Sequence, residues 1–132
     1  MIYLDTNIFI HALGNPDKKV NACINLLDKI LNNKIEAYTS FLTWDEFLQI
    51  IKRQMEMDKA ISESQKFLNF PNLIFLDVNE KVMSKAQELV LRYNLKPRDA
   101  IHAATAIVGG IKEIASDDTD FDRVKELKRI KI

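Results

Sequence analysis

The sequence has few residues that would break the chain or cross-link it. Only three glycines and three prolines occur in 132 residues. No interdomain linker is evident, and one domain over 1–132 is the expectation, a length that suits a single core. A lone cysteine, Cys23, excludes an internal disulfide and favours a reducing compartment. As a small apolar side chain it suits the core. No apolar run approaches the roughly 20 residues of a membrane span. The N-terminus lacks the basic start and small-residue cleavage site of a secretion signal. A cytoplasmic protein with no membrane partner is therefore expected. Neither sign of charge is in excess, with 19 Lys and Arg against 19 Asp and Glu. Net charge thus argues neither for nor against a polyanionic partner, which would have to be held by a local patch or by metal ions. The chain also lacks internal repeats, a histidine–cysteine set for zinc, a glycine-rich phosphate loop and a Ser-His-Asp signature.

Apolar residues make up 47% of the chain. A domain near this size buries roughly two thirds of its unfolded surface. The apolar residues recur in two periods. Ile2, Tyr3 and Leu4 form a short strand-favouring run, stopped by Asp5, Thr6 and Asn7. Helical spacing starts at Ile8 and ends by Gly14-Asn15-Pro16. A second helix carries Val20, Cys23, Ile24, Leu27, Ile30 and Leu31. A strand over 35–39, a helix from about 40 or 43 to 55, and a helix over 59–70 follow. Residues 73–76 read as a strand, and Asn79 caps a helix that Asn94 ends. Pro97 suits the first turn of the next helix, which has an alanine-rich face and runs to Gly109-Gly110. A strand over 111–115, an acidic loop over 116–122, a short helix over 121–127 and an edge strand at Ile130 and Ile132 complete the chain. Strands alternating with helices predict an α/β fold in three layers, a mostly parallel sheet of about five strands flanked by helices.

Acidic residues fall at the ends of these elements. Asp5 either caps the first helix or stands beyond the carboxyl end of a strand, where open α/β sheets bind ligands. Glu46 lies between Leu42 and Ile50 on a helix and so borders an apolar stripe, whereas Asp45 shares a polar face with Gln49 and Lys52. A carboxylate in an apolar setting is costly unless paired. A metal, a lysine or arginine, or a solvated edge would each relieve it. Asp99 stands in a first helical turn, where the macrodipole alone favours it by only about 0.3–1 kcal/mol. His102 follows one turn later and reads as a helix-surface or core histidine. The run Ser116-Asp117-Asp118-Thr119-Asp120-Phe121-Asp122 repels itself unless solvent or cations screen it. It is no EF-hand, because Arg123 and Arg129 stand where the glycine and the bidentate glutamate belong. All-oxygen donors select hard cations such as Mg²⁺ or Mn²⁺.

Four segments in this order resemble a PIN-domain ribonuclease, most closely the small VapC-like toxins of toxin–antitoxin pairs. They are Leu4-Asp5-Thr6-Asn7-Ile8, Glu46 in its helix, Asp99-Ala100-Ile101-His102-Ala103-Ala104, and Ser116-x-Asp118-x-Asp120-Phe121. The resemblance covers essentially the whole chain. It implies that Asp5, Glu46, Asp99 and Asp118 match the acidic catalytic positions, with Asp5, Asp99, Asp118 and Asp120 around the metal. Asn7 and Ser116 match polar positions that orient ligands or water. Asp117 beside Asp118 leaves a one-residue shift open in that loop. The resemblance further implies metal-assisted hydrolysis of RNA on one or two Mg²⁺ or Mn²⁺ ions, a homodimer, and a small antitoxin protein as partner. Lys52 and Arg53 after the Glu46 helix, and Lys96 and Arg98 around the start of the Asp99 helix, could grip phosphates, or could be solvated surface. Other readings remain open at this point: a PIN nuclease acting in RNA processing or on DNA, a non-catalytic binding module on the same scaffold, or another metal-dependent phosphoesterase.

Overall fold

A computed structural model describes residues 1–132. Strands β1 (Ile2–Leu4), β2 (Ala37–Ser40), β3 (Leu73–Leu76), β4 (Glu113–Ala115) and β5 (Lys128–Ile130) form one sheet in the order β3-β2-β1-β4-β5. All neighbouring pairs are parallel. The sheet expected to be mostly parallel is wholly so, because helical turns occupy every connection between consecutive strands. The helices are α1 (Thr6–Ala12), α2 (Lys18–Leu31), α3 (Leu42–Ile51), α4 (Met57–Leu68), α5 (Glu80–Tyr93) and α6 (Pro97–Val108). None is long and apolar enough to cross a membrane.

The period of two along each strand divides the core between the two faces of the sheet. Tyr3 and Ile114 point to one face, where they meet Val82, Ala86 and Leu89 of α5 and the alanines of α6. Leu4 and Ala115 point to the other, where Ile8, Cys23, Ile30, Phe47, Ile51 and Phe67 close over them from α1 to α4. Cys23 is buried and free, as its apolar reading implied. Alanine dominates the inner side of α6: Ala100, Ala103, Ala104 and Ala106 are all fully buried. Side chains this small let α6 lie close against α5 and the sheet.

Helix signals in the sequence hold locally. The Asp17 and Asn79 side chains cap α2 and α5. Asn94 ends α5 in the left-handed region at φ 52°, and Pro97 opens α6. Several boundaries differ from the expected ones. The third helix stops at Ile51 rather than Met55, because its last turn tightens through bonds such as Gln54 N–H to the Ile51 carbonyl at 3.0 Å. The fourth is Met57–Leu68, the second strand starts at Ala37, and the late strand begins at Glu113. The helix expected over 121–127 is instead a 3-10 helix, Thr119–Arg123, followed by turns. Phe121, Val124 and Leu127 are all buried. Their spacing of three suits tight i→i+3 turns as well as it suits an α-helix.

Strand order also sets where a ligand crevice would lie. The chain runs outward from β1 to β2 and β3, then returns to pair β4 on the other side of β1. The carboxyl ends of β1 and β4 therefore flank a topological switch point, the usual ligand crevice of an open α/β sheet. Asp5 follows β1 and Ser116 follows β4, and Leu4 pairs with Ala115 beside them.

Replacing Ala103 by Leu should overpack the contact between α6 and its neighbours. The expected cost is roughly 1–3 kcal/mol, or a fall of about 4–12 °C in Tm for a domain near this size. Calorimetry checks it, and an unchanged Tm would show that α6 has room to spare.

Candidate active site

Asp5 leaves β1 and is buried, and it both caps α1 and stands beyond the carboxyl end of that strand. Oδ1 accepts from the Thr6 amide at 2.7 Å and caps α1. Oδ2 accepts from the Ser116 hydroxyl at 2.7 Å and the Asn7 amide at 3.1 Å. Ser116 is a hub between the two loops, since its Oγ also accepts from Asn7 Nδ2 at 3.2 Å and from the Asp118 amide at 3.0 Å. Asn7 Oδ1 in turn receives the Asp117 amide at 3.4 Å. These bonds lock the turn after β1 to the turn after β4. Burial raises the Asp5 carboxyl pKa, opposed by the charge of His102 and by the Ser116 and Thr6 donors.

Glu46, on α3, has a partner that the sequence reading did not name. Its Oε1 accepts from Thr6 Oγ1 at 2.9 Å and from Nε2 of His102. His102 is fully buried on α6, and its Nδ1 lies 2.6 Å from the Tyr3 hydroxyl. The carboxylate near an apolar stripe is thus relieved by a histidine rather than by lysine or arginine. Burial works against both charges. The bond to His102 and its charge nonetheless hold the Glu46 carboxyl below its ordinary range. Burial likewise opposes the imidazolium, but Glu46 and Asp5 outweigh it and raise the His102 pKa. Sequence reasoning placed His102 as a helix-surface or core residue and left Thr6 out. The available signal was spacing: His102 lies one turn after Asp99, and Thr6 lies between two selected polar residues.

Asp99, from the first turn of α6, meets Asp118 and Asp120 from the loop after β4. One carboxylate oxygen of each lies within 4.8 Å of the others. Half-burial, then the charges of Asp118 and Asp5, push the Asp99 carboxyl up to about 6, against the pull of His102. Asp118 Oδ1 accepts the Asp120 amide at 2.9 Å. Asp117 is turned away to Lys19 at 2.7 Å and His11 at 3.4 Å, and Lys19 holds its carboxyl below the ordinary range. Asp118, not Asp117, therefore joins the cluster. Asp120 is paired with Arg123 and Asp122 with Arg129, whereas neither Asp99 nor Asp118 has a basic side chain against it.

The four expected phosphate contacts scatter. Arg98 pairs with Asp45 at 3.7 Å and is close enough to Glu46 to help lower its pKa. Lys96 is the N-cap residue of α6. Lys52 and Arg53 are exposed beyond the end of α3. Neither makes an ion pair or a hydrogen bond with a carboxylate of the cluster.

The donor set suits a hard divalent cation. Every side-chain atom that Asp99, Asp118 and Asp120 offer is a carboxylate oxygen, and two of these three carboxylates have no cationic partner. The more enclosed Asp5 and Glu46 are already satisfied by hydrogen bonds.

A family model described as the PIN domain matches residues 2–127. Ribonuclease VapC2 of Methanocaldococcus jannaschii is 28% identical, the alignment covering 99% of this chain and 93% of that one. The sarcin–ricin-loop-cleaving toxin VapC20 of Mycobacterium tuberculosis superposes with a TM-score of 0.78 at 17% identity, over 95% of each chain. A chain of a toxin–antitoxin complex from Klebsiella pneumoniae superposes with a TM-score of 0.72 at 20% identity, over 97% of this chain and 96% of that one.

Asp99 titrates near 6 in the fold against 3.8 when unperturbed. A raised carboxyl pKa gives stability that is present in acid and lost as pH rises through the folded value. In EDTA, the Tm of Asp99→Asn should therefore rise relative to wild type between about pH 4 and about pH 7.5. Parallel Tm profiles for the two proteins would contradict the crowding of carboxylates around Asp99.

Proposed function

The chain belongs to the PIN domain family, and on that premise we propose that it is a metal-dependent endoribonuclease acting as the toxin of a toxin–antitoxin pair. One observation carries the reading. The carboxylates of Asp99, Asp118 and Asp120 converge at the switch point, beside the hydrogen-bonded Asp5. Similarity to a named ribonuclease over nearly the whole chain supports RNA as substrate. Single-stranded or looped RNA is the expected form of that substrate.

In this reading Asp99, Asp118 and Asp120 hold Mg²⁺ or Mn²⁺, and Asp5 completes the site directly or through water. When bound, the cation supplies a water of lowered pKa and neutralises charge on the phosphate and the leaving oxygen. Ser116 and Asn7 fix the rotamer of Asp5. Thr6 and His102 keep Glu46 ionised and aimed, so that its carboxylate could accept a hydrogen bond from a water at the site and orient it. Of the four basic residues considered, Arg98 and Lys96 at the start of α6 are the ones we assign to a flanking phosphate, Arg98 exchanging its pairing with Asp45 for it.

A small antitoxin protein and a second copy of the chain complete the proposal. Fold similarity to a chain of a toxin–antitoxin complex supports the first. For the second, Met57, Ile61 and Leu68 are exposed along α4, an apolar surface of the kind that marks an interface. Light scattering should give twice the monomer mass; a monomer at high concentration would reject the dimer.

The direct test is cleavage of single-stranded RNA by the purified protein. Mn²⁺ should support it, EDTA should abolish it, and Asp99→Asn should lower it about 100-fold or more. Asp118→Asn should do far more damage than Asp117→Asn. Wild-type cleavage by Asp99→Asn would overturn the assignment.

A further inference from the structure

Arg123 is the one basic side chain that touches the three-carboxylate cluster. It closes the 3-10 helix and lies three residues after Asp120. One guanidinium nitrogen donates to the main-chain oxygens of Tyr93 and Asn94, each at 3.1 Å. The other lies 2.9 Å from Asp120 Oδ1. Tyr93 and Asn94 form the end of α5, where Asn94 turns left-handed. The last carbonyls of a helix lack intrahelical donors and carry partial negative charge. A planar guanidinium can serve them and a carboxylate at the same time.

We infer that Arg123 is a positioning residue for the metal site, anchoring the Asp120 carboxylate to the end of α5 so that it faces Asp99 and Asp118. An exposed arginine bonded only to a carboxylate would be a mobile ion pair of little consequence. Here the backbone of α5 holds the far side of the guanidinium, so Asp120 is tied to a fixed point. Two cations from other elements, Lys19 of α2 and Arg129 of β5, also reach this loop but do other jobs. Lys19 holds Asp117 away from the cluster, while Arg129 bonds Asp122 and the Ser116 carbonyl. Removing Arg123 has two opposed effects on a bound cation. It adds one uncompensated negative charge, and it frees Asp120 to swing into solvent. The side chains of Arg123 and Asp120 are 42% and 31% exposed, so solvent screens the charge effect and placement dominates.

This role rests on the proposed metal site, and Mn²⁺ titration of the protein without RNA separates the two. Calorimetry on wild type, Arg123→Met, Arg123→Lys, Asp120→Asn and the double variant Arg123→Met/Asp120→Asn gives the comparison. Arg123→Met should weaken Mn²⁺ binding about tenfold, with little change in metal-free Tm. Arg123→Lys should recover only part, because an ammonium cannot span both the carbonyls and the carboxylate. On the Asp120→Asn background, Arg123→Met should cause no further loss. Unchanged or tighter binding by Arg123→Met, or an equal loss on that background, would overturn the role while leaving the metal site standing. A wild type that takes up no Mn²⁺ would reject both.

Discussion

Five carboxylates, two enclosed and three half-buried, repel one another at one end of the sheet, and the surrounding contacts are arranged around that repulsion. Asp5, Glu46, Asp99, Asp118 and Asp120 come from four separate stretches of chain and meet at one end of the sheet. Burial and the neighbouring carboxylates together push the Asp99 carboxyl up, and burial does the same to Asp5. The chain relieves the repulsion unevenly. Glu46 has the buried His102, Asp120 has Arg123, and Asp5 has three neutral donors. Asp99 and Asp118 have no basic partner, and Asp99 titrates near 6. The uncompensated pair stands where a divalent cation would bring the missing charge.

The fold makes this crowding tolerable by stiffening what surrounds it. Wholly parallel pairing sets the ends of β1 and β4 side by side, and Ser116 ties the two following turns together. Beneath them, Tyr3, His102, Glu46 and Thr6 form a buried polar chain that joins β1, α6, α3 and α1. A polar network of this kind is costly unless each member is satisfied. Here no buried side-chain nitrogen or oxygen lacks a partner. The alanine face of α6 belongs to the same design. It lets that helix come close enough for His102 and Asp99, one turn apart, to reach the polar chain and the cluster respectively.

Much of this was legible in the sequence, for reasons that differ by residue. Strands 2–4 and 73–76 showed as short apolar runs, and α2, α5 and α6 showed through their caps and periodicity. Asp5 and Asp99 stood out as carboxylates at element ends, although capping and the macrodipole could also explain them, and the resemblance to PIN-domain ribonucleases picked Asp118 and Asp120 out of their acidic run. What stayed hidden was pairing across long separations. Glu46 and His102 are 56 residues apart, and Arg123 reaches α5 across 30. No local pattern encodes either contact. The choice between Asp117 and Asp118 was equally hidden, because it turns on Lys19, 98 residues away from Asp117. The helix expected over 121–127 failed because a spacing of three is shared by α-helices and tighter turns.

If the carboxylates meet in order to hold a hard divalent cation, that cation must be found between them. The most direct measurement is an anomalous difference map from crystals soaked in Mn²⁺. A peak bonded to carboxylate oxygens of Asp99 and Asp118, at about 2.0–2.2 Å as expected for a small hard ion, is the predicted result. The absence of a peak there at saturating Mn²⁺, or a peak on Asp117 instead, would show that these carboxylates are not gathered for a metal.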